Sequence, residues 1–416
     1  MKETNVLEFK EAITNTYLKT VSAFSNYNGG TIIFGITDNG IIVGVDNISE
    51  ACLTIENKIN DSIVPQPQYA IEVNEKNKTI ELLISEGRQK PYLYKSKAYK
   101  RNDTASIEVD TIELKRLILT GKNINFEELP SGEQNLKFSI LEERLKQCMG
   151  IEKLTVDVLR TLNLYSNDKG YNNAAAILSD VNNFAGIDIA KFGENISVIS
   201  KRVAFEHNSI ISAYEGAINI FKDYYQYEEI VGASRILKEK IPEESFREAI
   251  ANALIHRTWD VNANIRVLMF DDRIEIISPG GLPYGITEKE YLEGKLSVLR
   301  NPIIGNVLYR LKIVEIFGTG ILRIIESYKD SIIKPRFEIN ENSITIVLPI
   351  IEVDLDLSED ELIIYRQLSK VIAKSMSEIV SSVAFGKTKT NQIVKKLCSK
   401  GIVKVIGKSR GIKYHI

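Results

Sequence analysis

The chain has 416 residues, 53 Lys and Arg against 55 Asp and Glu, and a net charge of −2. That length predicts about two to four domains, each with its own core, and 44% hydrophobic with 26% charged residues excludes a disordered or fibrous chain. Three scattered cysteines, Cys52, Cys148 and Cys398, exclude a disulfide framework. Together with an N-terminus lacking an apolar leader and no membrane-length apolar run, they predict a cytoplasmic protein without membrane attachment. His207, His256 and His415 lie too far apart in sequence to suggest a His-based metal site.

Taken in order, Glu3-Thr-Asn-Val-Leu-Glu8-Phe-Lys10 leads into an amphipathic pattern that predicts a helix over Glu11–Asn28, with Ala12, Ile13, Leu18, Val21, Ala23 and Phe24 on its apolar side. Asn28-Gly29-Gly30 ends it. Thr31–Ile36 and Ile41–Gly44 read as a hairpin around the turn Thr37-Asp38-Asn39-Gly40. Tyr99-Lys100-Arg101-Asn102-Asp103-Thr104-Ala105-Ser106 follows as a basic strand and turn. This series resembles the Schlafen-type AlbA-like domain, and the domain is expected over 1–125. The resemblance implies an acidic active site at Glu3, Glu8 and Asp38, whose hard carboxylates would hold Mg²⁺ or Mn²⁺ for endoribonuclease chemistry. Lys10, Lys100 and Arg101 would then meet phosphates. The same residues have a plainer reading, since Asp-Asn-Gly is also what a hairpin turn wants.

Pro130-Ser-Gly-Glu133 is the best linker candidate, and 135–243 reads as a connecting region. Ala174–Leu178 looks like a short buried segment, Ile196–Phe205 alternates like a strand, and Glu215–Tyr227 reads as a helix. Its aromatics Phe221, Tyr224, Tyr225 and Tyr227 suit a core or the interface of a homo-oligomer.

Glu248 and Asn252 stand four residues apart in an otherwise apolar helical run, so both project from one face, and burying them demands partners. Two strands, Ile265–Phe270 and Arg273–Ile277, flank Asp271-Asp272. Ser278-Pro-Gly-Gly281, Arg300-Asn-Pro302 and Phe317-Gly318-Thr319-Gly320-Ile321 come next, the last opening a helix where glycines let backbone approach a phosphate. The order, from Glu244 to Leu348, resembles the divergent GHKL-type ATP-binding domain at the C-terminus of RecG-like regulators. It implies ATP as ligand, Glu248 as base for water, Asn252 as Mg²⁺ ligand, and Gly280, Gly281, Gly318, Thr319 and Gly320 around the nucleotide, within a domain over 244–350. Relatives that hydrolyse ATP carry an Asp-x-Gly-x-Gly loop whose Asp reads adenine, and Ser278-Pro-Gly-Gly281 lacks it. Binding without fast hydrolysis is therefore expected. No complete phosphate loop of helicase type is present; Gly386-Lys387-Thr388 is the nearest approach.

From Lys387 to Ile416 there are eight Lys, one Arg and no Asp or Glu, +9, so residues 1–386 carry −11. Helical patterns over Ser358–Ser369, Ser377–Val383 and Thr390–Lys400, then a hairpin around Gly407–Gly411, resemble a winged helix-turn-helix over 355–416. The resemblance puts Lys389, Asn391, Gln392 and Lys395 toward a groove and Lys408 and Arg410 on the wing. The whole reads as an α/β (α+β) multidomain protein acting on nucleic acid. Two readings stay open: a nucleotide-regulated, metal-dependent endoribonuclease acting on RNA, tRNA included, in stress or phage defence; and a non-catalytic, DNA-binding transcription regulator.

Overall fold

The computed structural model describes the chain except residues 1, 233, 284–285, 295–297, 316–317, 332, 352–356, 369–372, 408–411 and 416. Lys408 and Arg410 of the expected wing lie outside the described residues. The chain divides into two compact units, Met1–Phe126 and Glu127–Ile416.

In the first unit, β1 (Leu7–Lys10) pairs in parallel with β2 (Gly30–Phe34) after the intervening helix α1 (Tyr17–Asn26). Helix α2 (Ile48–Ser62) follows. Strands β3 (Tyr69–Asn74) and β4 (Thr79–Ile84) complete a sheet of order β1-β2-β4-β3. Strand β5 (Lys97–Asn102) turns at Asp103 into β6 (Ala105–Glu108), and α3 (Thr111–Gly121) closes the unit, its N-terminus capped by the Asp110 side chain. Residues 11–16 form bends and turns, so α1 begins six residues later than the periodicity predicts. The expected return strand Ile41–Gly44 is reduced to one bridge, Ile36 to Ile42. Its apolar side chains stay exposed because β2 finds its partners in β1 and β4 instead.

Helix α1 is buried almost all round, with Tyr17, Leu18, Val21 and Phe24 in the core beside Ile32, Phe34, Ile55 and Leu82. The polar residues of the stretch Ser22–Asn26 include buried clamps. Asn26 Nδ2 donates to the Tyr92 carbonyl (2.9 Å), its Oδ1 accepts the Tyr92 N–H (2.8 Å), and Ser22 Oγ donates to the same carbonyl (2.7 Å). Gly29 has φ +67°, and a Cβ there would meet the Ile84 carbonyl at 2.7 Å, so only glycine passes from α1 into β2.

In the second unit, β7 (Ile187–Phe192) and β8 (Ile199–Phe205) form a hairpin, and α4 (Ile210–Tyr225) follows. A two-stranded hairpin, β9 (Gln226–Val231) and β10 (Ser234–Glu239), precedes α5 (Glu243–His256). Strands β11 (Ile265–Met269) and β12 (Arg273–Pro279) lead to α6 (Pro302–Arg310) and α7 (Gly320–Ser327), and then to β13 (Arg336–Ile339) and β14 (Ser343–Pro349). Six strands make one sheet of order β8-β7-β11-β12-β14-β13, parallel only between β7 and β11. A boundary at 244 would therefore cut this sheet, because β7 and β8 come from the expected connecting region. The expected linker Pro130–Glu133 lies just past the boundary between the two units and is itself bonded: the Ser131 N–H donates to the Tyr171 carbonyl (2.8 Å) and Pro130 bridges Asn172. Phe221 and Tyr225 stack in the core, and Phe221 stacks on Phe246 of α5, whereas Tyr227 belongs to β9.

Three helices, α8 (Glu359–Tyr365), α9 (Met376–Ser381) and α10 (Lys387–Ser399), share a small core of Ile364, Ile379, Val394 and Leu397. Strands β15 (Lys404–Ile406) and β16 (Lys413–His415) follow as a hairpin. No helix among the described residues is long and apolar enough to cross a membrane.

Asn26→Ala should lower the unfolding free energy of the first unit by about 1–3 kcal/mol, because it strands the buried Tyr92 N–H and leaves the Tyr92 carbonyl with Ser22 as its side-chain donor. Denaturant titration followed through that unit's tyrosines would read it, and a loss under about 0.5 kcal/mol would mean the clamp is dispensable.

Candidate functional site

Strand β1 carries Glu8, with only 4% of it exposed. A carboxylate so placed must be paired. Arg101 Nη1 lies 2.5 Å from Oε2, Lys10 Nζ 2.5 Å from Oε1, and Thr20 Oγ1 donates to Oε2 at 2.6 Å. Ser106 Oγ joins the group through Thr20 Oγ1 (2.7 Å) and accepts from Arg101 Nη1 (3.1 Å). Arg101 also donates to the Thr4 carbonyl at 3.3 Å. One carboxylate thus faces two cations and the cluster keeps one positive charge.

The expected metal-holding triad of Glu3, Glu8 and Asp38 does not form. Glu3 Oε1 is used to accept the Phe9 N–H at 2.8 Å, and Asp38 is exposed on the turn between Thr37 and Gly40. Among the described residues no three His, Cys, Asp or Glu side chains gather as such a group. The physical reason is that Glu8 is committed to the cations that its burial requires. Lys100, the other expected phosphate contact, is ion-paired with Glu113 (2.8 Å).

In the second unit, α5 presents Glu248 and Asn252 on one face as their spacing predicts. Asn252 Nδ2 donates to the Glu248 carbonyl (2.9 Å) and to Oε1 (3.1 Å), while its Oδ1 has no hydrogen bond among the described residues. Burial pushes the Glu248 carboxyl above its usual range, opposed by Arg323, whose Nη1 lies 3.8 Å from Oε2. Helix α7 starts directly opposite. A Cβ at Gly320 would collide with Glu248 Oε1 and Asn252 Nδ2, so glycine is what leaves the space open.

A cavity of about 50 Å³ lies here. Glu248, Asn252, Glu315, Gly318 and Gly320 give it a polar lining, and Pro283, Ile286, Tyr291, Val298 and Leu299 an apolar one. Thr319 stands at the N-cap position of α7 without a side-chain capping bond, its Oγ1 accepting from Arg323 at 3.2 Å. Gly280 and Gly281 do not line the cavity: Gly280 donates to the Asn342 carbonyl (2.9 Å), Gly281 abuts the backbone of 340–341, and its carbonyl accepts from Arg300. Ser278 and Pro279 still belong to β12, paired with β14, and Ser278 Oγ ties that end of the strand to the Ala253 carbonyl of α5 (3.1 Å).

The residues fit Mg²⁺ carried by a nucleotide. Such an ion needs only one or two protein oxygens beside the phosphates, and Asn252 Oδ1 and Glu248 can supply them. Sequence reasoning missed His256, Glu315 and Arg323 at this site. His256 could have been found by continuing the Glu248–Asn252 spacing along α5.

In the C-terminal helices the basic charge is partly spent internally. Lys389 pairs with Asp360 (2.7 Å), and Lys396 and Lys400 pair with the buried Glu361 (3.0 and 3.1 Å). Gln392 and Lys395 remain exposed on α10 and Asn391 is half-buried.

The two domain types present are those of a nucleic-acid-related, ATP-binding protein. Residues 3–110 match the family model described as "Schlafen, AlbA_2", and residues 262–348 the one described as "Putative ATP-dependent DNA helicase recG C-terminal", so the chain is a fusion of these two domain types. The second match begins after α5, so Glu248, Asn252 and His256 lie ahead of it. The crystal structure of the DIP2311 protein from Corynebacterium diphtheriae is similar at 17% identity and a TM-score of 0.49, over 99% of this chain and 92% of that one. No curated protein matches.

Two outcomes follow. Glu8→Gln should destabilise the first unit by roughly 3 kcal/mol, since it leaves buried cations without their counter-charge; denaturation unchanged from wild type would return Glu8 to a purely chemical role. The Ser358 backbone N–H, and after it Lys396 and Lys400, hold the Glu361 carboxyl down at about 2, against burial. A depressed folded value gives stability that is present above the ordinary carboxyl pKa of about 4.5 and lost as pH falls through about 2. Unfolding midpoints between pH 5 and 2 should therefore fall more steeply in wild type than in Glu361→Gln, and parallel slopes would show that the pair contributes nothing.

Proposed function

We propose that the protein is a nucleotide-responsive regulator that binds nucleic acid without cleaving it. The observation that carries this is Glu8 held between Arg101 and Lys10. A carboxylate already neutralised by two cations is a poor ligand for a third, whereas the cluster's remaining positive charge suits a phosphate backbone. In the C-terminal region, read as a winged helix-turn-helix over 355–416, exposed Gln392 and Lys395 on α10 offer the contacts to a groove. Lys389, Lys396 and Lys400 are positioning charges there, tied to α8.

The nucleotide enters this reading at the cavity beside α5. Asn252 and Glu248 would hold Mg²⁺, which screens the phosphate charge when bound. Gly318 and Gly320 admit the phosphates close to the backbone, where the N-terminus of α7 favours negative charge. Glu248 could take a proton from water, since burial raises its carboxyl, yet Arg323 also occupies it. That fits slow turnover or none, and makes the bound nucleotide a conformational signal.

The rival reading is a metal-dependent endoribonuclease built on Glu3, Glu8 and Asp38. One set of measurements separates the two. The full chain should bind duplex DNA or RNA with strong salt dependence, and Lys395→Ala should flatten the log–log slope by about one unit if that lysine meets a phosphate. RNA should survive incubation with Mg²⁺ or Mn²⁺. Metal-dependent cleavage that disappears in Asp38→Asn would overturn the regulator reading. Mg²⁺–ATP should raise the melting temperature by mass action, and Asn252→Ala should abolish that shift; a wild type unmoved at millimolar ATP would remove the nucleotide from the proposal.

A further inference from the structure

The cavity beside α5 has a second polar group that nothing described so far uses. His256 lines it, eight residues past Glu248 on the same helix, or about 12 Å along the axis at 1.5 Å per residue. Its Nδ1 is buried and has no hydrogen-bond partner among the described residues. A buried imidazole nitrogen without a partner is a cost to the folded chain, so a ligand that bonds it gains what the empty protein forgoes.

The other unpartnered nitrogens nearby do not compete for this role. Arg257 Nε and Trp259 Nε1 belong to side chains packed on each other, 4.1 Å from guanidinium to ring centroid, and neither residue lines the cavity. The loop Ser278–Gly281 offers no side chain either, since Ser278 is bonded to Ala253 and the glycines abut residues 340–342. Much of the rest of the cavity's described lining is aliphatic. Leu299 and Ile255 approach the same point beside Gly305, and Val298, Pro283 and Ile286 line the cavity with them. His256 thus stands about 12 Å along the helix from the Glu248 carboxylate and about 6 Å from the Asn252 carboxamide, beyond the groups suited to a metal-bound phosphate and on the side where the base of a nucleotide would lie.

We propose that His256 reads the base of a purine nucleoside triphosphate in this cavity, its Nδ1 accepting from the exocyclic amino group of adenine or, in the other tautomer, donating to the exocyclic carbonyl of guanine. A neutral imidazole can do either, because each ring nitrogen is a donor or an acceptor according to tautomer. An acceptor-only carboxylate in this position would select adenine; the imidazole takes both purines. Burial, helped by the Arg300 cation, holds the His256 pKa down to about 4, so the ring stays neutral around pH 7. The inference rests on the nucleotide reading above and adds the base to it.

The test deletes the partner on the ligand side, leaving the protein intact. Binding of ATP, GTP and purine riboside triphosphate, which has no exocyclic group, is measured on the full chain with Mg²⁺ by calorimetry. ATP and GTP should bind within about tenfold of each other, and purine riboside triphosphate about tenfold more weakly than ATP, the size of one buried hydrogen bond. His256→Phe keeps a flat ring without the nitrogen and should bind all three alike; His256→Asn, which restores a donor and an acceptor, should recover the difference. Purine riboside triphosphate binding the wild type as well as ATP does would overturn the proposal while leaving the nucleotide site standing. If none of the three binds wild type, both the site and the base reader fall. Discrimination against GTP by a hundredfold or more would also sink it, since the imidazole could not impose that.

Discussion

Arg257 holds the second unit in register. Its guanidinium is fully buried and no carboxylate among the described residues forms an ion pair with it; burial lowers its pKa to about 10, so it remains charged at neutral pH. The cost of desolvating it is met by carbonyls: Ala185 (3.0 Å), Gly186 (3.5 Å), Val261 (3.2 Å) and Ala263 (2.8 Å). Those carbonyls precede β7 and β11, the one parallel pair in the sheet. A single cation therefore ties the exit of α5 to the starts of two strands. Asn301 adds to this by donating to the Ile255 and Arg257 carbonyls (2.6 and 2.9 Å), which docks the start of α6 on the end of α5. Glu127, buried with both oxygens on the Ile303 and Ile304 N–H groups, fixes the same end of α6.

The candidate nucleotide site inherits its geometry from that anchor. Glu248, Asn252 and His256 are carried by one rigid helix, so fixing the C-terminal end of α5 fixes the spacing of all three against Gly320. The site is polar at one part of its lining and apolar at the other because α5 runs past both. Burial then tunes the groups in opposite directions: it raises the Glu248 carboxyl and lowers the His256 imidazole, each toward its neutral form.

The N-terminal unit follows a different logic. There a buried carboxylate is answered by two cations and a hydroxyl, and the cluster joins β1, α1 and the β5–β6 hairpin, which lie far apart in sequence. Residue types that suit metal chemistry serve here as the polar core of a small domain. In the C-terminal helices the same economy appears, with Glu361 taking up two lysines of a segment that looks uniformly basic on paper. Net charge by segment overstates what a partner would meet, because the offsetting carboxylates sit elsewhere in the chain.

Much was legible in the residues alone. The Glu248–Asn252 spacing, the β11–β12 hairpin, the glycines before α7 and the order of the C-terminal helices all depend on local periodicity and turn chemistry, which neighbours in sequence decide. Even the helix stop at Asn28-Gly29-Gly30 could be read, although the clamp that Ser22 and Asn26 place on Tyr92 could not. What sequence could not decide was pairing over distance. It could not tell that β2 would choose β1 and β4 over the segment after Gly40, that β7 and β8 complete the six-stranded sheet, or that Arg101, 93 residues away, would claim Glu8. Nor could it separate Gly318 and Gly320, which face the cavity, from Gly280 and Gly281, which pack against residues 340–342. Those outcomes turn on which buried group satisfies which, and burial exists only once the chain has folded.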